Sequence, residues 1–467
     1  MRARVAWWVY AAAAASLALV TVWNWLWAVT LRGPILYGEG AVAHAAILAR
    51  DRAEYATAPV GDSIFTAANY PPLYFHLAAI GDDPFVTGRA LSVAATLVVA
   101  FLIAWRARPA GLLVAATIAL AWIASVPVMN WGAAVKPDPV ALALTVGAVS
   151  LLARERPSHA IAGALLAAAV LAKPTALLPA IALFVYVLRR DPVAALRGLG
   201  AGALAMGALF LVTYPPDEAM RLHVIEWNSL PWRPELLAGL VLVALLVLAV
   251  PLATMAATRA VGGVLGAYLI GAVGVLLLGG REGATINYFL DLSAALALIV
   301  ASLAPRLALQ RRYPVAAILQ LLFAAALLNP FPHSESLMAP TGKWEHAEHI
   351  AYVRDFAPGV VLSEDSGLLV ADGRDPIVDD LFLWSRLYAT ARIDGRPLLD
   401  AVRAGRFDAI LSYHELERLE TGPGFARQRW HADLATAVLE RYHAPMRVYG
   451  LCQPLKWCHE FVVYVRR

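Results

Sequence analysis

The stretch Leu31–Pro84, LRGPILYGEGAVAHAAILARDRAEYATAPVGDSIFTAANYPPLYFHLAAIGDDP, decides the fold, because it is the longest polar interruption in an otherwise apolar N-terminal half. Near its start it places one carboxylate, Glu39, in a Gly-Glu-Gly turn. Near its end it carries the aromatic, proline-stiffened run Asn69-Tyr70-Pro71-Pro72-Leu73-Tyr74. A loop of this length between long apolar runs belongs to a polytopic membrane protein, where polar backbone collects at the bundle's end.

Composition agrees. The 467 residues are 60% hydrophobic and 15% charged, with mean hydropathy +0.63. Soluble domains run nearer half apolar and a quarter charged. The net charge of +4 and pI near 9.0 come from short arginine clusters scattered between apolar runs. That is how topology determinants are distributed, so no nucleic-acid partner is expected. The first run follows Arg2 and Arg4 and ends in Trp23-Asn24-Trp25-Leu26-Trp27. It is long for a signal-peptide core and lacks a small-x-small cleavage site, so it reads as an uncleaved span with interfacial tryptophans.

Apolar runs recur at 5–29, 86–105, 109–128, 139–153, 158–172, 174–188, 194–213, 236–256, 260–279, 286–304 and 313–329. They predict about eleven transmembrane helices, three of them short of the ~20 residues that a crossing wants. With the N-terminus in the cytoplasm, the cytoplasmic turns hold Arg2/Arg4, Arg106/Arg108, Arg154/Arg156, Arg189/Arg190/Arg197, Arg259 and Arg306/Arg311/Arg312. This satisfies the positive-inside rule at every turn and sets Leu31–Pro84 and everything after Asn329 outside the cytoplasm. The expectation is a multi-pass plasma (inner) membrane protein with a transmembrane domain over 1–329 and a soluble extracytoplasmic domain over 330–467.

After Pro330 and Pro332 charged residues become ordinary in frequency. Val360–Ser363, Ala409–Ser412 and Phe461–Val465 read as strands, and Ala347–Asp355, Leu398–Arg406 and Asp433–Tyr442 as helices. A small α/β domain closed by a hairpin through Val448–Tyr464 follows. Cys452 and Cys458 flank Gln-Pro-Leu-Lys-Trp there. Their spacing suits a short-loop disulfide in an oxidising compartment and neither CxxC redox chemistry nor a zinc site; two free thiols are the other reading.

Polar groups at membrane depth mark function by default. Four stand at the outer ends of spans: Lys136-Pro137-Asp138, Lys173-Pro174-Thr175, Arg281-Glu282 and Asn287-Tyr288-Phe289-Leu290-Asp291. All fall on the face that carries Glu39. Fixed cations suit a departing lipid phosphate, on which negative charge builds, and a carboxylate suits an attacking hydroxyl that must lose its proton. Blander roles stand beside these. Glu39 also fits a solvated turn, Tyr70 and Tyr74 fit interfacial anchors, Lys136 and Lys173 fit snorkelling side chains, Asn287 and Asp291 fit a structural pair, and Arg89 fits a structural partner for a first-loop acid.

In their order, Gly38-Glu39-Gly40, Asn69–Tyr74, Gly88-Arg89, Lys136-Pro137-Asp138, Lys173-Pro174-Thr175 and Asn287–Asp291 resemble the motifs of GT-C fold glycosyltransferases. That superfamily holds protein O-mannosyltransferases, the lipid A aminoarabinose transferase and lipopolysaccharide galacturonosyltransferases. Leu362–Asp365, Asp379-Asp380 and Gly405–Asp408 resemble the soluble tails of bacterial members. The resemblance implies inverting transfer of a sugar from a polyprenyl-phosphate donor to an extracytoplasmic hydroxyl on a glycan, lipid or protein. It implies Glu39 as catalytic carboxylate, with phosphate held by Lys136, Lys173 or Arg281 and substrate contacted by Tyr70, Tyr74, Asp138, Asn287 and Tyr288. The partners expected are the donor, membrane lipids and that acceptor. The scheme requires no cofactor or metal, although some relatives use a metal ion. Two departures stand out: many relatives have Asp at the Glu39 position, and the lipid A branch has Lys where this chain has Tyr70. The rival class is a transporter or flippase of lipid-linked sugars, which would spread polar residues through the bilayer's depth.

Overall fold

Away from water only helices satisfy all their own backbone hydrogen bonds, and the apolar runs fold accordingly. The computed structural model describes residues 2–57, 63–258, 262–328, 354–355, 359–422, 424–448 and 461–467. Along the first 328 residues lie α1 (Arg2–Val29), α2 (Glu39–Leu48), α3 (Pro72–Ala78), α4 (Pro84–Ala107), α5 (Leu112–Ile123), α6 (Val126–Trp131), α7 (Asp138–Leu152) and α8 (His159–Ala172). They are followed by α9 (Leu177–Leu188), α10 (Pro192–Val212), α11 (Glu218–Arg221), α12 (Pro234–Val247), α13 (Ala249–Thr258), α14 (Gly263–Leu277), α15 (Leu290–Leu307) and α16 (Arg312–Leu328).

The protein is a multi-pass membrane protein. Among the described residues five helices are long and apolar enough to cross a bilayer, or six if α12 and α13 count as one span bent by 79°. Pro251 explains that bend, since it has no amide to bond the Val247 carbonyl one turn earlier. The run at 109–128 also divides, into α5 and α6, with Pro127 in the first turn of α6. Five further apolar helices are 10–17 residues long, less than the ~20 of a perpendicular crossing. Helix α15 is buried along nearly its whole length and packs on α4, α5 and α14.

Beyond residue 358 the described chain forms a mixed sheet of β1 (Val361–Ser363), β2 (Ala409–Ser412), β3 (Tyr442–Val448) and β4 (Phe461–Arg466), in the order β1-β2-β4-β3. β1 and β2 are parallel and the other pairs antiparallel. The expected strands and the β3–β4 hairpin are present, and helices run at Arg396–Arg403 and Ala432–Arg441. The helix expected at Ala347–Asp355 lies almost wholly outside the described residues.

This sheet region sits directly on the first loop. Phe65 bridges to Val378 in parallel, and the Asp379 amide donates to the Phe65 carbonyl (3.0 Å). Phe65, Ala67, Trp227 and Leu230 join the apolar core under the sheet. The Gly-Glu-Gly turn has a reason for both glycines. Gly38 adopts φ +79°, which favours glycine, and a Cβ on Gly40 would lie 2.1 Å from the Gly367 amide nitrogen.

Candidate active site

Glu39 is the first residue of α2 and has no solvent exposure; nor has Arg89 on α4, whose Nη2 lies 2.8 Å from Glu39 Oε2. The same Oε2 accepts from the Ile35 amide (2.7 Å) and the Leu36 amide (3.4 Å), and Oε1 accepts from the Val135 amide (2.7 Å). Arg89 also donates to the carbonyls of Ala28, Leu31 and Gly33, closing the C-terminal end of α1. Glu39 and Arg89 therefore clamp three segments: the exit of α1, the start of α2 and the loop that presents Lys136. A carboxylate has about four lone-pair sites; three donors crowd Oε2, and Oε1 keeps one site.

Lys136 follows Val135 and donates from Nζ to the Gly38 carbonyl (2.7 Å). Burial pushes its ammonium down, and Asp380 leads the acids that pull it back up, ahead of Glu39, Asp138 and Asp365. Asp138, the first residue of α7, accepts through Oδ1 from Lys173 Nζ and from Asn287 Nδ2 (2.8 Å), while its Oδ2 is buried with no hydrogen-bond partner among the described residues. Lys173 Nζ lies 5.2 Å from the centre of the Tyr288 ring, whose hydroxyl accepts from Arg281 Nη2 (3.1 Å). Arg281 Nη1 is held by the backbone and side-chain oxygens of Asn228 (2.8 and 3.0 Å). Lys136 and Lys173 are each 8% exposed, so both cations are buried.

Tyr70 belongs to the same cluster. Burial pushes its phenol well above the ordinary range, reinforced by Asp138 and Tyr288 and opposed by Arg281. The Tyr74 hydroxyl, four residues on, bonds the Gly88 carbonyl (3.2 Å), and its ring belongs to the apolar core of Tyr55, Phe75 and Phe85 against which Tyr70 also packs. Asn287 and Asp291 share no bond, for Asp291 accepts from Tyr268 (3.1 Å).

The sheet region supplies further side chains. Asp380 caps the helix Leu381–Ala389 through Oδ1, which also accepts from the Tyr37 hydroxyl (3.2 Å). It is half-buried, its Oδ2 has no hydrogen-bond partner among the described residues, and burial lifts its carboxyl above the usual range. The Arg429 guanidinium lies 3.8 Å from the centre of the Tyr37 ring and donates to Glu364 (3.0 Å). Burial lifts Asp365 to about 6, although it accepts from the Tyr413 hydroxyl and the Gly367 amide. Behind the site, buried His44 on α2 bonds Asp379 (2.8 Å). Burial disfavours its charge, but Asp379 and then Asp375 outweigh that and raise it. Only proximity in the fold identifies these partners; Tyr37 and Asp380 are 343 positions apart.

Cys452 and Cys458 lie outside the described residues. Among the described residues no three His, Cys, Asp or Glu side chains converge as metal ligands. An apolar groove of about 350 Å³ runs between α8, α9 and α10.

No family model matches the sequence, and no curated protein matches it either. Solved structures do. ArnT from Cupriavidus metallidurans bound to undecaprenyl phosphate superposes with a TM-score of 0.58 at 13% identity, over 96% of this chain and 97% of that one. The apo form of ArnT gives 0.56 at 14% identity with the same coverage. Identity this low speaks to fold alone, and over almost its whole length the chain has the GT-C fold of ArnT.

Proposed function

We propose that this protein is a membrane glycosyltransferase that moves a sugar, with inversion, from a polyprenyl-phosphate donor to an extracytoplasmic hydroxyl. The observation that carries the reading is the buried cluster that gathers Lys136, Lys173 and Arg281 with Asp138, Tyr288 and Asp380. The likeness to an ArnT that binds undecaprenyl phosphate supports the donor class. In this reading the sheet region is an extracytoplasmic domain over 330–467, and the N-terminus is cytoplasmic. Reporter fusions after Arg190 and Arg467 test that: the first must read cytoplasmic and the second external.

In the reaction the acceptor oxygen bonds to the anomeric carbon while the bond from that carbon to the phosphate oxygen breaks. The electron pair leaves with the phosphate, whose growing charge the three cations stabilise. Tyr70, Asp138, Asn287 and Tyr288 shape the pocket around sugar and phosphate. The acceptor's proton goes to a carboxylate, and Asp380 suits this step best because, among the described residues, its Oδ2 has no hydrogen-bond partner. Glu39, clamped by Arg89, keeps the Lys136 loop in place. A second reading keeps Glu39 as base through the unused lone pair on Oε1, which requires the Val135 loop to move and admit substrate.

Purified protein in detergent, given a panel of polyprenyl-phosphate sugars, should release polyprenyl phosphate. Asp380→Asn should lower kcat by about 10²–10⁴-fold, the range for losing a general base, with near-normal KM. Lys136→Met should cost about 10²–10³-fold. Full activity of D380N together with an inactive but folded E39Q assigns the proton to Glu39. Turnover of no donor in the panel by wild type counts against the transferase reading itself.

A further inference from the structure

Helices α4, α7 and α15 all begin at the candidate active site, and their other ends enclose a second cavity of about 540 Å³. Helix α4 has 24 residues, which at 1.5 Å each span about 36 Å. The cavity therefore lies at the opposite membrane interface. Arg106, Arg108 and Arg154 line it together with Ser150 and Ser302, and no acid does. Arg106 Nε donates to Ser302 Oγ (3.0 Å), which fixes one guanidinium across the gap between α4 and α15. The Arg108 guanidinium lies 3.6 Å from the centre of the Trp105 ring. Among the described residues none of the three arginines has an acidic partner.

The surface leading to this cavity is apolar. Leu97, Phe101 and Trp105 recur every four residues on α4 and are 42%, 61% and 55% exposed, with Val98 beside them at 49%. They form an apolar stripe that runs down the helix and ends at the arginines. A soluble anion would match the arginines but leave the stripe unused; an acyl chain would match only the stripe.

We infer that this cavity binds the headgroup of an anionic phospholipid, its phosphate on Arg106, Arg108 and Arg154 and an acyl chain along Leu97, Phe101 and Trp105. Basic pockets between membrane helices bind such headgroups through charge, with about 1 kcal/mol for each basic residue near the surface. Three arginines favour a headgroup with two phosphates, as in cardiolipin, over one with a single phosphate.

The test uses the full chain in a neutral detergent. Thermal unfolding and native mass spectrometry are followed on titration with cardiolipin, phosphatidylglycerol, phosphatidylcholine or glycerol phosphate. Wild type should retain cardiolipin, then phosphatidylglycerol, and gain thermal stability from them, with no comparable gain from the other two. The variant R108A/R154A, which alters only exposed side chains, should bind cardiolipin about thirty-fold more weakly, as two lost charges at about 1 kcal/mol each predict. Leu97→Ser/Phe101→Ser should weaken lipid binding and leave any glycerol phosphate response untouched. Equal retention of phosphatidylcholine, an equal shift with glycerol phosphate, or unchanged cardiolipin binding by R108A/R154A would each overturn the assignment.

Discussion

The two ends of the bundle handle charge in opposite ways, although α4, α7 and α15 build both. At the active-site end Glu39 with Arg89 and Asp138 with Lys173 are ion pairs drawn almost completely out of water. At the other end Arg108 and Arg154 stand exposed, with no acidic partner among the described residues. Burying a charge costs several kcal/mol unless a partner and hydrogen bonds compensate it, whereas an arginine at an interface keeps its head in water. The active-site end therefore carries its charges at a cost that packing alone would not select. What it gains is geometry: each cation has one position, fixed by named oxygens, before a substrate arrives.

The comparison breaks most easily at Arg89. Arg89→Met leaves the Glu39 carboxylate buried without its counter-charge and should destabilise the protein by about 3–5 kcal/mol. Adding Glu39→Gln to that variant should recover part of the loss, since it removes the unpaired charge and keeps an acceptor for the amides. A double-mutant cycle on unfolding midpoints in detergent checks both values; additive losses would mean that the pair is not a unit.

Asp365 offers a smaller effect with a definite pH window. Its folded-state value is about 6, against about 3.9 for an unperturbed aspartate. Between these the folded chain holds a proton that the unfolded chain has released. Stability should thus fall as pH rises from about 4 to about 6 and level off above, by at most about 3 kcal/mol in total. Unfolding midpoints across that range should lose this slope in Asp365→Asn.

The smallest change belongs to the arginine-rich end. Without added lipid, R108A/R154A should stay within about 0.5 kcal/mol of wild type, as exposed substitutions do. A large loss there would mean that these arginines are as structural as Arg89, and the contrast between the two ends would vanish.

Much of this site could be read from the residues. Glu39, Lys136, Asp138, Lys173, Arg281 and Asn287 all flank apolar runs, and the arginine turns set those flanks on one face. The breaks within the apolar runs could not be read so. An apolar run reports burial from water, and Pro127 and Pro251 divide two runs whose hydropathy is continuous. Tyr70 and Tyr74 show a finer limit: α3 starts at Pro72 and buries Tyr74 inside an apolar core, while Tyr70 packs against that core from its edge.

The sequence by itself determined a membrane bundle, its polar first loop, and the cations and carboxylates at the helix starts, because hydropathy and local charge are properties of neighbouring residues. Only the tertiary structure decided that Glu39 is clamped by Arg89, that Lys173 pairs with Asp138, and that Asp380 accepts from Tyr37. Those contacts join residues up to several hundred positions apart, and what selects them is the requirement that every buried charge find a partner.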